Sequence, residues 1–147
     1  MVQSQSDFTG VWQVNFEKST LRGQPPKQIL MKIEHQEPKL IQSVHVIHET
    51  GHEERLTFTY ETTGNETANP VGGGTARCCA QWIGRELVIE SWMKTPGREF
   101  HFKDHWSLSD DGRTLTMAHR DDDLAGQISV LEKAPPQAAT TFDKLQT

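Results

Sequence analysis

Asp7-Phe8-Thr9-Gly10-Val11-Trp12 decides the fold of this chain. Gly10 lets the backbone pass close beneath a large indole. From there apolar and polar side chains alternate, with Trp12, Val14 and Phe16 on one face and Val11, Gln13 and Asn15 on the other. A period of two marks a strand with one buried face. The stretch therefore opens a first strand, predicted over 10–16, and Trp12 defines the face that must be covered.

The same alternation recurs along the chain, over 28–35, 39–48, 53–61, 75–82, 86–94, 99–108, 114–120 and 127–133. Turn chemistry separates these stretches, at Glu37-Pro38, Thr50-Gly51, Gly84-Arg85, Pro96-Gly97 and Asp111-Gly112. The facing of 39–48 is open, because both Leu40/Gln42/Val44 and Ile41/Ser43/His45 alternate. Gly84-Arg85-Glu86-Leu87 echoes Gly112-Arg113-Thr114-Leu115, as successive hairpins of a meander would. Gly23 and Pro25-Pro26 break 17–27 into a loop, and no long helical pattern competes. Evenly spaced short strands predict an all-β chain, a single up-and-down antiparallel β-barrel of eight to ten strands. An even count closes first strand to last antiparallel, which places a short extra strand at 66–69, inside the irregular stretch 62–74. The barrel domain is expected over 7–133. The Ala/Pro/Thr-rich residues 134–147 are expected to form a loose tail, with a short helix at 141–146 as the alternative.

A chain of 147 residues folds as one domain and buries roughly 70% of its unfolded surface without staples. Hydrophobic residues are only 34%, so the core must come from one face of each strand. The net charge of −5, with no block of Lys and Arg, excludes a nucleic-acid partner. No apolar run is long enough for a membrane-spanning helix. Met1 to Ser6 carries no apolar signal region, which fits a soluble protein, either cytoplasmic or exported with its signal already removed. Cys78 and Cys79 are neighbours on a strand, so one points in and one out, and both are expected as free thiols.

Strand parity sorts the loops onto two ends. Short turns at Glu37-Pro38, Gly64-Asn65, Gly84-Arg85 and Asp111-Gly112 share a closed end; the longer, Gly- and Pro-rich loops share a mouth. With the Trp12 face inward, Trp12, Trp82 and Trp106 gather as a floor. Above them, Phe16, Met31, His48, Phe58 and Cys78 face inward from the first half of the barrel. Ser91, Met93, Phe102, Asp104 and His119 do so from the second. Ala76, Cys78 and Ala80 are small inward residues that leave volume between these walls. Apolar walls with a few polar groups make a small-ligand pocket, so these ten residues are the candidate ligand-binding set.

Phe8-Thr9-Gly10-Val11-Trp12 resembles the Gly-x-Trp opening of the first strand in calycins, the superfamily of lipocalins, fatty-acid-binding proteins and avidin-like proteins. Asp104-His105-Trp106-Ser107-Leu108-Ser109 with Asp111-Gly112-Arg113-Thr114-Leu115 is similar to a late hairpin of bacterial lipocalin-like domains. The resemblance implies structural roles for Gly10, Trp12 and Lys133, the last as the basic residue against the floor indole. It also implies a carrier for a small hydrophobic or amphipathic molecule. The chain departs from the family in lacking an Arg-x-Tyr carboxylate clamp in its last strand.

Seven His residues invite a metal, but no His-x-His pair occurs on a strand, and solvated positions are expected for His45, His48, His52, His101 and His105. No metal and no cofactor is expected. The acidic run Asp121-Asp122-Asp123 is expected to be solvated, and Asn65-Glu66-Thr67 fits a glycosylation pattern only in a eukaryotic secretory route. His119 is inward and near the mouth, where it can meet Asp104, although Ser91 or an Arg is the plainer partner for that carboxylate. Three functions stay open: a non-catalytic carrier, a barrel enzyme using His119 and Asp104 as acid and base, and a solid-core interaction module. A homodimer is left open as well.

Overall fold

A computed structural model describes residues 6–21, 23–71, 73–121 and 126–135. It contains β1 (Gly10–Val14), β2 (Gln28–Gln36), β3 (Lys39–Ile47), β4 (Glu53–Glu61) and β5 (Thr63–Val71), then β6 (Gly74–Ile83), β7 (Glu86–Thr95), β8 (Arg98–Leu108), β9 (Thr114–Asp121) and β10 (Gln127–Lys133). All ten belong to one antiparallel sheet in the order β4-β3-β2-β1-β10-β9-β8-β7-β6-β5. The all-β up-and-down barrel expected from the alternation is the fold, and no helix occurs among the described residues. Residues 122–125 of the acidic loop and 136–147 of the tail, with the helix considered there, lie outside the described residues.

Two strand assignments change. β1 stops at Val14 because the Asn15 carbonyl and side chain are taken by Ser19, Lys18 and Glu132, which bends the chain away before Phe16. β5 runs nine residues, well beyond the short piece expected at 66–69. It is an edge strand, which explains why it tolerates Pro70 and a polar sequence.

β1 and β10 close the sheet, with Trp12 opposite Lys133. Trp12 is fully buried and donates its indole N–H to the Phe8 carbonyl at 3.0 Å. Phe8 in turn lies parallel to Trp82 (5.8 Å, 8°) and edge-on to Trp106 (5.6 Å, 89°). The Lys133 ammonium caps the Trp12 ring 4.5 Å from its centroid and donates to the Thr9 carbonyl at 2.8 Å. Gly10 sits at φ +148°, and a Cβ there would lie 2.4 Å from Lys133 Nζ. The backbone conformation thus favours glycine, and a side chain there would displace the lysine that crosses it.

The wall is not hydrogen-bonded all the way round. β4 and β5 are consecutive in sequence yet are the two free edges of the sheet. Asn69 bridges the seam: its Oδ1 accepts from the Thr59 N–H at 2.8 Å, and its Nδ2 donates to the Thr59 carbonyl at 3.1 Å. A buried side-chain amide thereby imitates one rung of a backbone ladder.

β3 settles its facing with Leu40 and Gln42 inward and buried. Gln42 accepts the Tyr60 hydroxyl proton at 3.1 Å and passes its own N–H to Met31 Sδ at 3.3 Å. His45, expected in solvent, is instead fully buried on the outer face, in register with Leu30 and Arg55, its Nε2 3.7 Å from Glu53. The other His expected in solvent have carboxylate neighbours: Glu54 for His48 and His52, Glu90 for His101, Glu86 for His105.

Four outcomes test this frame. Lys133→Ala removes an ammonium–indole contact and should lower unfolding free energy by about 1 kcal/mol in urea titrations. Gly10→Ala adds backbone strain and should cost more, about 1–3 kcal/mol. Asn69→Ala should cost about 1–2 kcal/mol and speed hydrogen exchange at the Thr59 amide while leaving amides bonded between β3 and β4 protected. Burial, reinforced by Cys78 and Asp104, pushes the Tyr60 phenol well above its ordinary value of 10.0. An acid whose folded value is raised stabilises the fold fully below the unfolded value and loses that contribution as pH climbs through the folded one. Stability should therefore fall above pH 10.0, and Tyr60→Phe should flatten that fall. Tyr60 is the only tyrosine, so phenolate absorbance reports it alone.

Candidate functional site

Inward residues two apart along each strand stack above one another, and neighbouring strands bring these columns into register. The columns do not fill the barrel. A cavity of about 260 Å³ remains between β3–β9, just under the roughly 300 Å³ at which typical ligand pockets begin. A wider hollow of about 660 Å³ lies by Gly74, Lys94 and Pro96, but it is an open surface flanked by Arg77, Lys94 and Glu99.

Of the ten candidate ligand residues, seven line the interior cavity. Phe58 and Cys78 come from β4 and β6, Ser91 and Met93 from β7, Phe102 and Asp104 from β8, and His119 from β9. Phe16, Met31 and His48 do not line it. Phe16 lies past the end of β1. Met31 is inward, but the Gln42 amide sits on its sulfur. His48 follows the last residue of β3, in the turn where it stacks on His52 at 5.6 Å. Five lining residues are not among the candidates: Gln42, Tyr60, Val71, Trp106 and Ala76, the last expected only to leave volume. Gln42 was hidden by the open facing of its strand, and Trp106 was assigned wholly to the floor.

Asp104 and His119 face each other across β8 and β9, and Nδ1 of the imidazole lies 2.7 Å from Oδ1 of the carboxylate. The expected partner for Asp104, Ser91 or an Arg, is thus replaced by His119. Side-chain exposures of 24% and 28% leave both within reach of a molecule entering the mouth. The His119 ring also tilts against Phe102, centroids 5.2 Å apart. Around the pair the walls are aromatic: Phe58 stacks on Tyr60 (6.1 Å, 6°), and Tyr60 meets Trp106 edge-on (6.0 Å, 89°).

The opposite wall is weakly polar. Ser91 donates to Cys78 Sγ at 3.4 Å, and Asn69 Nδ2 lies 3.6 Å from the same sulfur. Both cysteines are free thiols, Cys78 buried and Cys79 half-buried. Desolvation raises the Cys79 thiol above its ordinary value, with Glu66 adding to it. Cys78 pairs with Ser91, Ser91 with Phe102, and His119 with Asp104 one register step away. At about 4.8 Å per strand, three strand spacings separate Cys78 from His119 along the wall, too far for a thiol–imidazole couple. Among the described residues, no three His, Cys, Asp or Glu side chains are grouped as a metal would require.

No family model matches the sequence, and no curated protein matches it. The fold does have solved counterparts. A secretory abundant heat-soluble protein of Ramazzottius varieornatus, determined from a dimer sample, superimposes with a TM-score of 0.64 at 12% identity, over 90% of this chain and 98% of that one. Secretory abundant heat-soluble protein 4 of the same organism gives 0.61 at 12% identity, over 91% of this chain and 100% of that one. Likeness at such identity concerns the barrel alone: this chain has the β-barrel fold of those proteins.

Proposed function

We propose that this barrel binds a small, partly apolar molecule in its interior, as a carrier or sensor without catalysis of its own. The observation that carries the proposal is the cavity itself. Its walls are aromatic and aliphatic, and its polar groups are few and convergent, as in small-molecule sites generally. The calycin-like opening Gly10-Val11-Trp12 and the absence of an Arg-x-Tyr clamp favour a ligand other than a fatty acid. An unfilled interior weighs against the solid-core interaction module.

A second reading has one observation in its favour. The His119–Asp104 hydrogen bond opens into the cavity, where such a pair can serve as acid and base toward a bound substrate.

Native mass spectrometry of protein isolated from its own host should show a co-purified small mass, and cavity ligands should change the tryptophan emission to which Trp106 contributes. Ala76→Phe projects a ring into the cavity and should weaken that binding at least about tenfold with little loss of stability, since it fills space instead of overpacking it. If neither a bound mass nor an emission change is found across a panel of lipophiles, the binding proposal fails. A bound mass that converts to another on incubation, and stops doing so in Asp104→Asn, would move the assignment to the enzyme.

A further inference from the structure

The hydrogen-bonding groups of the cavity are unevenly engaged. Three of its donors are engaged by protein: Tyr60 gives its proton to Gln42, Gln42 one amide N–H to Met31, and Ser91 its hydroxyl proton to Cys78. The Tyr60 phenol holds that proton firmly, because burial disfavours its anion. With their protons given away, the hydroxyls of Tyr60 and Ser91 have only lone pairs left to offer a ligand. Asp104 adds more. His119 takes up Oδ1, and a carboxylate has about four lone-pair sites on its two oxygens.

Charge points the same way. Among the described residues lining the cavity none is Lys or Arg, and Asp104 is the one carboxylate. An anionic head would meet that carboxylate with no cation to offset it except an imidazole already bonded to it. A cationic head would instead find Asp104 flanked on its own strand by Phe102 and Trp106, two residues to either side and on the same face. Aromatic faces attract cations, and more strongly where water is partly excluded.

Resting on the reading that the cavity binds a small molecule, we propose that its ligand class is the amines: a small aromatic or aliphatic ammonium whose N–H groups bond to Asp104 and whose apolar body lies against Tyr60 and Trp106. Asp104 is then the specificity-determining residue, and His119 positions its carboxylate.

The test uses three probes of nearly equal size, phenethylamine, phenethyl alcohol and phenylacetate, titrated into the full chain by calorimetry. At about pH 8 imidazole side chains in general are neutral, while an alkylammonium, like that of lysine, keeps its proton. The amine should bind at least about tenfold more tightly than the alcohol, as a charge-assisted hydrogen bond provides, and the carboxylate more weakly than either. Asp104→Asn should erase the amine's advantage and bring the three within a few-fold of one another. His119→Gln, which keeps a donor toward Asp104 but cannot carry charge, should retain the advantage. This series on the unaltered protein decides the matter even where one variant folds poorly. Phenylacetate matching the amine, or an amine preference that survives Asp104→Asn, would overturn the assignment. Equal binding of alcohol and amine would leave the cavity as a binding site and remove the selection for cations. Failure of all three to bind would overturn the amine assignment, while the binding reading is decided by the co-purified mass and the lipophile panel.

Discussion

The barrel depends on covering one indole. Trp12 carries the largest buried side chain in the core, and its N–H must find an acceptor once it leaves water. Phe8, four residues earlier, supplies that acceptor from a segment that is not itself a strand. Meeting this one requirement draws the N-terminal segment across the closed end. Phe8 is then placed against Trp82 and Trp106, from strands far along the chain. Lys133 covers the ring from the last strand and ties the first and last strands together. The aromatic weight at this end is what allows the other end to stay partly empty. Small residues at Ala76 and Cys78 are tolerated because the buried area that holds the strands together lies below them.

Much of this was legible in residue order. Alternation located nine of the ten strands, since half-buried strands must alternate and turns must carry Gly, Pro, Asn or Asp, and the polar β5 followed only from the even count. Parity then placed Asp104 and His119 on one inner face. Cross-strand register, which depends on the turn Asp111-Gly112 being short, made them direct neighbours. The misassignments have a common physical origin: alternation shows which way a side chain points but not where a strand stops or who covers it. Phe16 and His48 lie just past strand ends. Met31 points inward as expected and is covered by Gln42. His45 points outward and is nevertheless buried. Asn69 resembles an ordinary turn residue in sequence, and nothing local reveals that its amide replaces a missing rung.

The cavity follows from the same economy of apolar residues. A chain this rich in polar residues cannot fill a ten-stranded interior with side chains alone, because barrel diameter grows with strand number. Polar groups therefore appear inside, and each must be engaged. Tyr60, Gln42 and Met31 form one linked chain; Asn69, Ser91 and Cys78 meet at one sulfur; Asp104 and His119 form a pair. These three groupings divide the inner wall into an acceptor-rich side and a thiol side.

The seam between β4 and β5 bears on how such a chain behaves in crowded solution. An exposed strand edge is a template onto which another polypeptide can add, the first step toward strand exchange and fibril growth. In this barrel both unpaired edges come from consecutive strands joined at Thr62, so each shields the other, and Asn69 occupies the backbone groups of Thr59 that an incoming strand would seek. Pro70 and Glu66 on the β5 edge further discourage recruitment. This break in the hydrogen-bonded wall is thereby kept from becoming a nucleus for self-assembly.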